Sequence, residues 1–264
     1  MVMPRLTRGE TPYYAHSTLA WTLAFLWLIA CLPQALAKGI EPETGRITLS
    51  LAQEPPSLDT SLAEDTTSAF ILGLTNEALV RVDRRGEIQP AVAKSWVLKP
   101  KSATFTLRTD ARWANGEPVT AQDFVFAWRR LVDPKTAAAG STFFTYLLLN
   151  AEAIIAGQQP PEALGVKALD NHTLQVMLSR PAPYLLHVLS GTAYMPLNEA
   201  FVSSQRDRYG ADSDNLLSNG PFKLDSWVHS ASMTLTRNEH YWRKAEVPLA
   251  GINISYITAD NRSL

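Results

Sequence analysis

The sequence predicts a mixed α/β fold in which strands and helices alternate irregularly. Short segments that alternate apolar and polar residues, with many β-branched side chains, occur near both ends of the chain and in its middle. Segments with apolar residues at helical spacing lie between them. These elements do not follow the regular strand-helix-strand order of a doubly wound parallel sheet. The 264 residues, 46% of them hydrophobic, can form one or two domains with a substantial core.

The first elements are a strand and a helix. Residues 46–52 alternate as a half-buried strand does. Two prolines end this strand, and a helix is predicted from about residue 66 to residue 78. Its apolar face carries Phe70, Leu74 and Ala78, which are spaced by four.

The middle of the chain is predicted to hold a strand at residues 103–108 and two helices. Thr120 and Asp123 resemble a capping box that opens the first helix. The second helix is predicted over residues 143–155 from its composition. The apolar face of the first helix consists of Phe124, Ala127, Trp128, Leu131 and Val132.

The remaining elements are a hairpin, a helix and three strands. Residues 164–178 read as a β-hairpin around Asp-Asn-His, and a capped helix is predicted over residues 198–209. Strands are predicted at residues 222–227, 233–237 and 252–256.

The first 37 residues have the composition of an export signal. Arg5 and Arg8 precede an uncharged apolar run of 14 residues, and Ala35-Leu36-Ala37 follows it. The run is shorter than the ~20 residues of a membrane-spanning helix. We therefore predict a signal peptide that is cleaved after Ala37, which leaves 227 of the 264 residues. An alternative is lipidation of Cys31, because this residue ends a Leu-Ile-Ala-Cys string that resembles a bacterial lipobox.

Composition and motifs exclude several classes of function. With 24 basic and 25 acidic residues, the chain lacks the positive charge of a nucleic-acid-binding domain. A single cysteine excludes a disulfide framework and a multi-cysteine metal site. The histidines lack metal-ligand spacing, and no nucleophile elbow or phosphate-binding loop is present. We expect no cofactor, no metal and no enzymatic activity, so an exported hydrolase is disfavoured.

The tryptophans that follow the export signal divide into two groups. Trp96, Trp128 and Trp227 are predicted to pack in the core or at its corners. For Trp113 and Trp242 two interpretations stand, which are core packing and the lining of a ligand cleft.

Specific strings carry more information than composition does. The most distinctive are ARWANGEPVTAQDF at residues 111–124 and NGPFKLDSW at residues 219–227. They resemble motifs of the extracellular solute-binding proteins of family 5, which serve peptide ABC importers. WRRLVDPKT at residues 128–136 and LGVKALDNHTLQVML at residues 164–178 resemble the oligopeptide-binding subgroup. The resemblance extends in order over residues 46–257.

This resemblance implies a periplasmic binding protein-like fold of type II, cluster C, with two lobes that close around an extended peptide. The implied domains are a signal peptide at 1–37, the first lobe at 38–76 and 197–264, and a small inserted domain at 77–196. Peptides and the membrane permease subunits of an ABC importer are the implied partners. The implied location is the periplasm, where the protein acts as a monomer.

Members of the family continue into a second large lobe after the strand predicted at residues 252–256. We therefore expect this chain to be an N-terminal portion that lacks the second lobe and binds peptide weakly, because half of a cleft cannot enclose a ligand. The alternative is a truncated or accessory single-lobe protein that acts through protein-protein contacts without capturing a ligand.

The resemblance also implies ligand-binding residues. Glu64 and Thr66, which flank Asp65, match a loop that contacts the peptide with strand-like backbone. A solvated loop or a helix N-cap is the alternative for these three residues.

A second implied contact is a cleft tyrosine shortly after the Asp-Pro-x-Thr string. This chain has Gly140 at that position. The aromatic contact is therefore either lost or moved to Phe143 or Phe144.

Overall fold

The computed structural model describes residues 40–41 and 43–256, which form the mixed α/β fold that the sequence predicts. The strands are β1 (Ile40–Glu41), β2 (Arg46–Leu51), β3 (Val80–Val82), β4 (Ile88–Pro90), β5 (Ala93–Lys99), β6 (Ser102–Leu107), β7 (Val166–Asp170), β8 (Thr173–Met177), β9 (Phe222–Val228), β10 (Ser232–Arg237) and β11 (Gly251–Tyr256). The α-helices are α1 (Thr66–Thr75), α2 (Ala121–Val132), α3 (Thr142–Thr145), α4 (Ala151–Ile155), α5 (Leu185–Val188) and α6 (Glu199–Gln205).

The strands form three sheets. The largest has five strands in the order β1-β2-β11-β10-β9, the next has four in the order β5-β6-β8-β7, and β3 pairs with β4. In the largest sheet β2 and β11 run parallel, with Arg46 opposite Gly251. The Arg46 side chain strengthens this pairing, because its Nε donates to Asn253 Oδ1 at 3.0 Å. The first and last strands of the described chain are thus held side by side.

The predicted domain boundaries fall between the sheets. The five-stranded sheet uses residues 40–51 and 222–256, whereas the four-stranded sheet uses residues between 93 and 177. From Glu41 onward, however, the described residues belong to one compact unit. The division of the chain at residues 76 and 196 therefore stays a prediction. The predicted signal peptide, its cleavage site at Ala37 and the lipidation alternative at Cys31 lie outside the described residues.

Helix α2 supplies the centre of the core. It begins with the predicted capping box, in which the backbone N–H of Thr120 donates to Asp123 Oδ2 at 2.7 Å. Phe124, Trp128 and Leu131 are fully buried, as their spacing predicts. Asp123, in the first turn of the helix, is also buried, and burial raises its pKa to about 6.

A cluster of aromatic rings joins α2 to the segments that follow it. Trp128 packs edge-on against Phe144, and Phe144 stacks on Tyr194 with ring centroids 4.6 Å apart. Trp128 Nε1 also donates to the backbone carbonyl of Tyr194 at 2.9 Å, which satisfies the buried indole N–H. The core position predicted for Trp128 is confirmed.

A buried ion pair joins α2 to the loop at residues 53–65. Arg130 donates from Nη1 and Nη2 to the two carboxylate oxygens of Asp59, at 2.8 and 2.6 Å. The Asp59 side chain is only 3% exposed. A bidentate geometry of this kind compensates the desolvation of both charges. The ion pair accounts for the partial burial of the Arg130 side chain, which is 20% exposed.

Helix α1 is shorter than predicted and buries a different face. It ends at Thr75 and not near residue 78, because Asn219 pairs with the backbone of Glu77. The N–H of Glu77 donates to Asn219 Oδ1 at 2.9 Å, and Asn219 Nδ2 donates back to the Glu77 carbonyl at 3.0 Å. This pairing holds Glu77 in a non-helical conformation.

The apolar face predicted for α1 is wrong at Phe70, whereas Leu74 packs against the core and Ala78 is buried beyond the end of the helix. Phe70 is 43% exposed, whereas Ile71 and Leu72 are completely buried. The helix is apolar on more than one side, so the spacing of its apolar residues does not specify which side faces the core.

The single helix predicted over residues 143–155 is two short helices, α3 and α4. Between them Leu149 forms two backbone hydrogen bonds with residues that are distant in sequence. Its N–H donates to the Met177 carbonyl, and its carbonyl accepts from the Gly165 N–H, both at 2.9 Å. These long-range bonds use the backbone groups that a continuous helix would need. The predicted strands at 46–52, 103–108, 222–227, 233–237 and 252–256 are confirmed, as is the hairpin of β7 and β8.

His229 links two loops at one end of the five-stranded sheet. Its Nδ1 lies 2.5 Å from Glu54 Oε1, and its Nε2 lies 3.1 Å from Asp212 Oδ1. The hydrogen bond with Glu54 raises the pKa of His229, and Asp212 acts in the same direction. The hydrogen bond with His229 lowers the pKa of Asp212, to which Arg208 also donates. Burial alone would raise the pKa of Glu54, but hydrogen bonds from Ser230 and His229 outweigh it and lower the pKa.

We predict that replacing Arg130 destabilises the fold strongly. Arg130→Ala leaves the Asp59 carboxylate buried without its partner, which costs about 3–5 kcal/mol in the free energy of unfolding. Urea denaturation followed by circular dichroism measures this cost. The control is Arg237→Ala, which removes an exposed pair with Glu239 at 3.0 Å and should cost about 0–1 kcal/mol. Equal losses in the two variants would contradict the prediction.

We predict that His229 stabilises the fold most at mildly acidic pH. Because its pKa in the folded state lies above 6.5, its contribution is complete below pH 6.5 and is lost as the pH rises through the folded value. The lowered pKa values of Glu54 and Asp212 keep both groups ionised below their ordinary values of 4.5 and 3.8. The difference in Tm between wild type and His229→Gln should therefore be largest near pH 5–6 and should shrink as the pH rises through the folded-state pKa of His229. A difference that does not change with pH would refute this assignment.

Candidate functional site

The loop at residues 53–65 is fixed to the body of the protein at several points before α1 begins. His229 holds Glu54, Arg130 holds Asp59, and the N–H of Leu58 donates to the Gly210 carbonyl at 2.9 Å. Gly210 has φ +74, and a Cβ at this position would lie 2.2 Å from the Asp59 nitrogen. Glycine is therefore required where the two backbones meet. The loop delivers Glu64 to the surface in a defined position.

Asp65 caps α1, as the alternative to ligand binding predicts. Its Oδ1 accepts from the Ser68 N–H at 2.9 Å, and its Oδ2 accepts from the Ser68 hydroxyl at 2.5 Å. Burial opposes ionisation of Asp65, but these hydrogen bonds outweigh it and hold its pKa below the usual range. The carboxylate is thus used within the protein, while Glu64 and Thr66 on either side of it are exposed.

The structure brings two of the predicted site residues together in one open cavity of about 460 Å³. Glu64 and Gly140 both line it. Asp65 and Thr66 do not line this cavity. The other lining residues are Ala63, Ala139, Phe143, Val188, Gly191, Thr192, Ala193 and Tyr194.

Phe143 and Phe144 have opposite environments. Phe143 is 68% exposed and lines the cavity, whereas Phe144 is completely buried in the aromatic cluster with Trp128 and Tyr194. Of the two predicted positions for an aromatic contact, only Phe143 therefore faces the cavity. Tyr194 also lines the cavity, and its hydroxyl donates a hydrogen bond to the Gly140 carbonyl at 3.3 Å.

Several lining residues were not predicted as site residues. Val188, Ala193 and Tyr194 follow in sequence long after Glu64 and Gly140, and no motif marks them. They reach the cavity because the aromatic cluster places Tyr194 against Phe144 next to Gly140. Such a contact depends on tertiary packing, which a sequence pattern does not report.

The two tryptophans left open by the sequence lie away from this cavity. Trp113 is 1% exposed and belongs to the core. Trp242 is partly buried under Arg108, whose guanidinium carbon lies 3.5 Å from the ring centroid. Trp242 Nε1 and the Tyr241 hydroxyl donate to the carboxylate of Glu77, at 2.7 and 2.6 Å. Burial raises the pKa of Glu77 in spite of these two donors.

The described residues 40–41 and 43–256 contain no group of three or more His, Cys, Asp or Glu side chains placed to hold a metal ion. None of the helices in the same residues has the length and apolar character needed to cross a membrane. The cavity offers one exposed carboxylate, backbone groups and apolar surface, which suit binding by hydrogen bonds and hydrophobic contact.

The family relationship is decided by residues 87–264, which match the family described as bacterial extracellular solute-binding proteins, family 5 (middle region). The chain belongs to this family. Family 5 proteins are solute-binding proteins found outside the cytoplasm, so the chain is a member of an exported, non-enzymatic family with a periplasmic binding protein-like fold.

Individual family 5 members agree with this assignment. The chain is 38% identical over 210 residues to the dipeptide-binding protein DppE of Bacillus subtilis, which covers 79% of this chain and 38% of DppE. The substrate-binding domain of an oligopeptide ABC transporter from Bacillus anthracis superposes with a TM-score of 0.81 at 43% identity, covering 86% of this chain and 44% of that one. OppA of Listeria monocytogenes, solved with a bound peptide, superposes with a TM-score of 0.79 at 38% identity. The aligned region covers 81% of this chain and 43% of that one. The chain therefore spans about two fifths of the length of these family 5 relatives.

We predict that substitution of Asp65 lowers the free energy of unfolding more than substitution of its neighbour Glu64 does. Asp65→Ala removes the cap of α1 and should lower the free energy of unfolding by about 1 kcal/mol. Glu64→Ala is the matched control and should change it by less than about 0.5 kcal/mol, because Glu64 is exposed. Urea denaturation of both variants measures the difference. A loss as large in Glu64→Ala as in Asp65→Ala would contradict the assignment of Asp65 as the cap.

Proposed function

We propose that this chain is the substrate-binding component of a peptide ABC importer and that the cavity between Glu64 and Gly140 contacts the bound peptide. The observation that carries the proposal is the meeting of these two residues in one open cavity of a family 5 protein. Relatives of the chain are named as dipeptide- and oligopeptide-binding proteins, and OppA of Listeria monocytogenes was solved with a peptide bound. These names support a peptide as the ligand.

The chemistry of the cavity suits a peptide main chain. The exposed carboxylate of Glu64 can accept hydrogen bonds from peptide N–H groups. Gly140 has no side chain, so a second backbone can approach it closely. Backbone contacts give affinity without selecting particular side chains, and import of varied peptides needs that tolerance. No catalytic group is required for this function.

The remaining parts of the proposal concern location and partners. We propose that the protein is exported, with a signal peptide that is cleaved after Ala37, and that it works in the periplasm as a monomer. It delivers peptides to the membrane permease subunits of the importer. The family supports export and the permease as partner, and the composition of the first 37 residues supports the signal peptide.

Isothermal titration calorimetry with a mixture of tri- to pentapeptides tests the proposal. Because the chain spans about two fifths of its relatives' length, we expect weak binding, with a Kd on the order of 0.1 mM, or about 5 kcal/mol of binding free energy. Glu64→Ala should weaken it about ten-fold through the loss of a charge-assisted hydrogen bond. Glu87→Ala, an exposed carboxylate in the β3–β4 turn, is the control and should leave the affinity unchanged.

Two outcomes would count against these expectations. The absence of any heat up to about 10 mM peptide, a hundred times the expected Kd, would contradict peptide binding by this chain. Pull-down of a membrane partner without added peptide would then favour the accessory function. Sub-micromolar binding would refute the expectation that one lobe alone binds weakly.

A further inference from the structure

We propose that the cavity beside Gly140 is a recess for one apolar side chain of the ligand, so that the chain prefers peptides with a residue such as Leu or Phe at that position. This inference rests on the proposed function. It adds a class of side chain to a site that otherwise contacts the peptide main chain.

The lining of the cavity is almost entirely apolar or neutral. Among its ten residues Glu64 is the only Asp, Glu, Lys, Arg or His. The Tyr194 hydroxyl is already bonded to the Gly140 carbonyl, and Thr192 supplies the one other hydroxyl. A polar side chain that entered would find only Glu64 and the Thr192 hydroxyl as free side-chain partners, so most neutral polar groups would lose more hydrogen bonds to water than they regain. An apolar side chain would gain contact with Phe143, Val188 and the ring of Tyr194.

The space exists because several lining residues are small. Gly140, Gly191, Ala139 and Ala193 leave the walls without bulky side chains. A Cβ on Gly140 would lie 3.3 Å from Cβ of Ala193, another lining residue, and 3.7 Å from Cδ1 of the buried Leu131, so the space for a side chain at position 140 is narrow. Gly140 does not adopt a positive φ, so its backbone conformation does not require glycine. Glycine at position 140 is therefore explained by the limited space beside it and not by a turn.

Phe143 lines the cavity, and most of its side chain is exposed. It is the most exposed of the large hydrophobic residues in the described part of the chain, at 68%. An apolar ligand group seated in the recess would cover this ring and so gain hydrophobic contact. The cavity volume of about 460 Å³ lies within the range of pockets that hold small ligands.

Charge complementarity selects a peptide as the occupant. An apolar recess beside a single exposed carboxylate matches a residue that has an apolar side chain and a main-chain N–H next to it. A fatty acid would bring its own carboxylate near Glu64, which is unfavourable.

Titration of a pentapeptide series tests the inference. Penta-alanine is compared with five peptides that each carry one Leu, by calorimetry with the full chain. At one position Leu should raise the affinity about ten-fold over Ala, the effect expected for burying most of its extra carbon atoms. The recess would be overturned if all five Leu peptides bound with the same affinity as penta-alanine.

Two variants locate the effect at the cavity. Gly140→Phe fills the recess and should bring the Leu-to-Ala affinity ratio close to one, whereas Gly73→Phe, on an exposed position of α1 with no atom near its Cβ, should keep the ratio. Thr192→Asp should replace the preference for Leu with a preference for Lys. This second test does not depend on whether Gly140→Phe folds. A Leu preference that survives in both cavity variants would overturn the inference.

A separate probe distinguishes failure of the recess from failure of the proposed function. If penta-alanine and its variants do not bind at all, peptide binding fails, but saturation-transfer NMR with N-acetyl-leucinamide and N-acetyl-alaninamide still reports on the recess. Stronger transfer to the leucine amide that is lost in Gly140→Phe supports the recess. Equal or absent transfer for both amides overturns it.

Discussion

The ion pair between Asp59 and Arg130 is the interaction on which the candidate site depends most. It fixes the loop that carries Glu64 against α2. The next residue of α2, Leu131, is fully buried, and its Cδ1 would lie 3.7 Å from a Cβ placed on Gly140. The same helix is thus bonded to the loop that carries Glu64 and lies close to Gly140. The bidentate geometry fixes the placement of the buried Asp59 carboxylate relative to the partly buried Arg130.

The polar contacts around α2 show how burial and hydrogen bonding work together. Trp113, Trp128 and Asp123 are all buried, and each has a polar group that would be costly to leave unpaired. Trp128 donates to a backbone carbonyl, while Asp123 accepts from Thr120 and from Trp113 Nε1 at 3.4 Å. The same side chains therefore fill the core and orient the segments around it.

Local features were predictable from the sequence, and long-range features were not. The capping box of α2 and the hairpin of β7 and β8 depend on neighbours in sequence, so their residue patterns predict them. The early end of α1 depends on Asn219, which is far away in sequence and pairs with Glu77. In the candidate site, the resemblance to family 5 indicated Glu64 and Gly140. The apolar recess between them is formed by Tyr194 and its neighbours, which no local pattern connects to either residue.

The parallel pairing of β2 with β11 has a consequence for how the protein is made. Arg46 and Asn253, which bond across these two strands, are 207 positions apart in the chain. At a synthesis rate of about 5–20 residues per second, β2 waits roughly 10–40 s before its partner exists. Loop closure of this length also slows folding after synthesis. The largest sheet is therefore among the last parts to assemble, and the chain spends its early life without the structure that would resist passage through a narrow export channel.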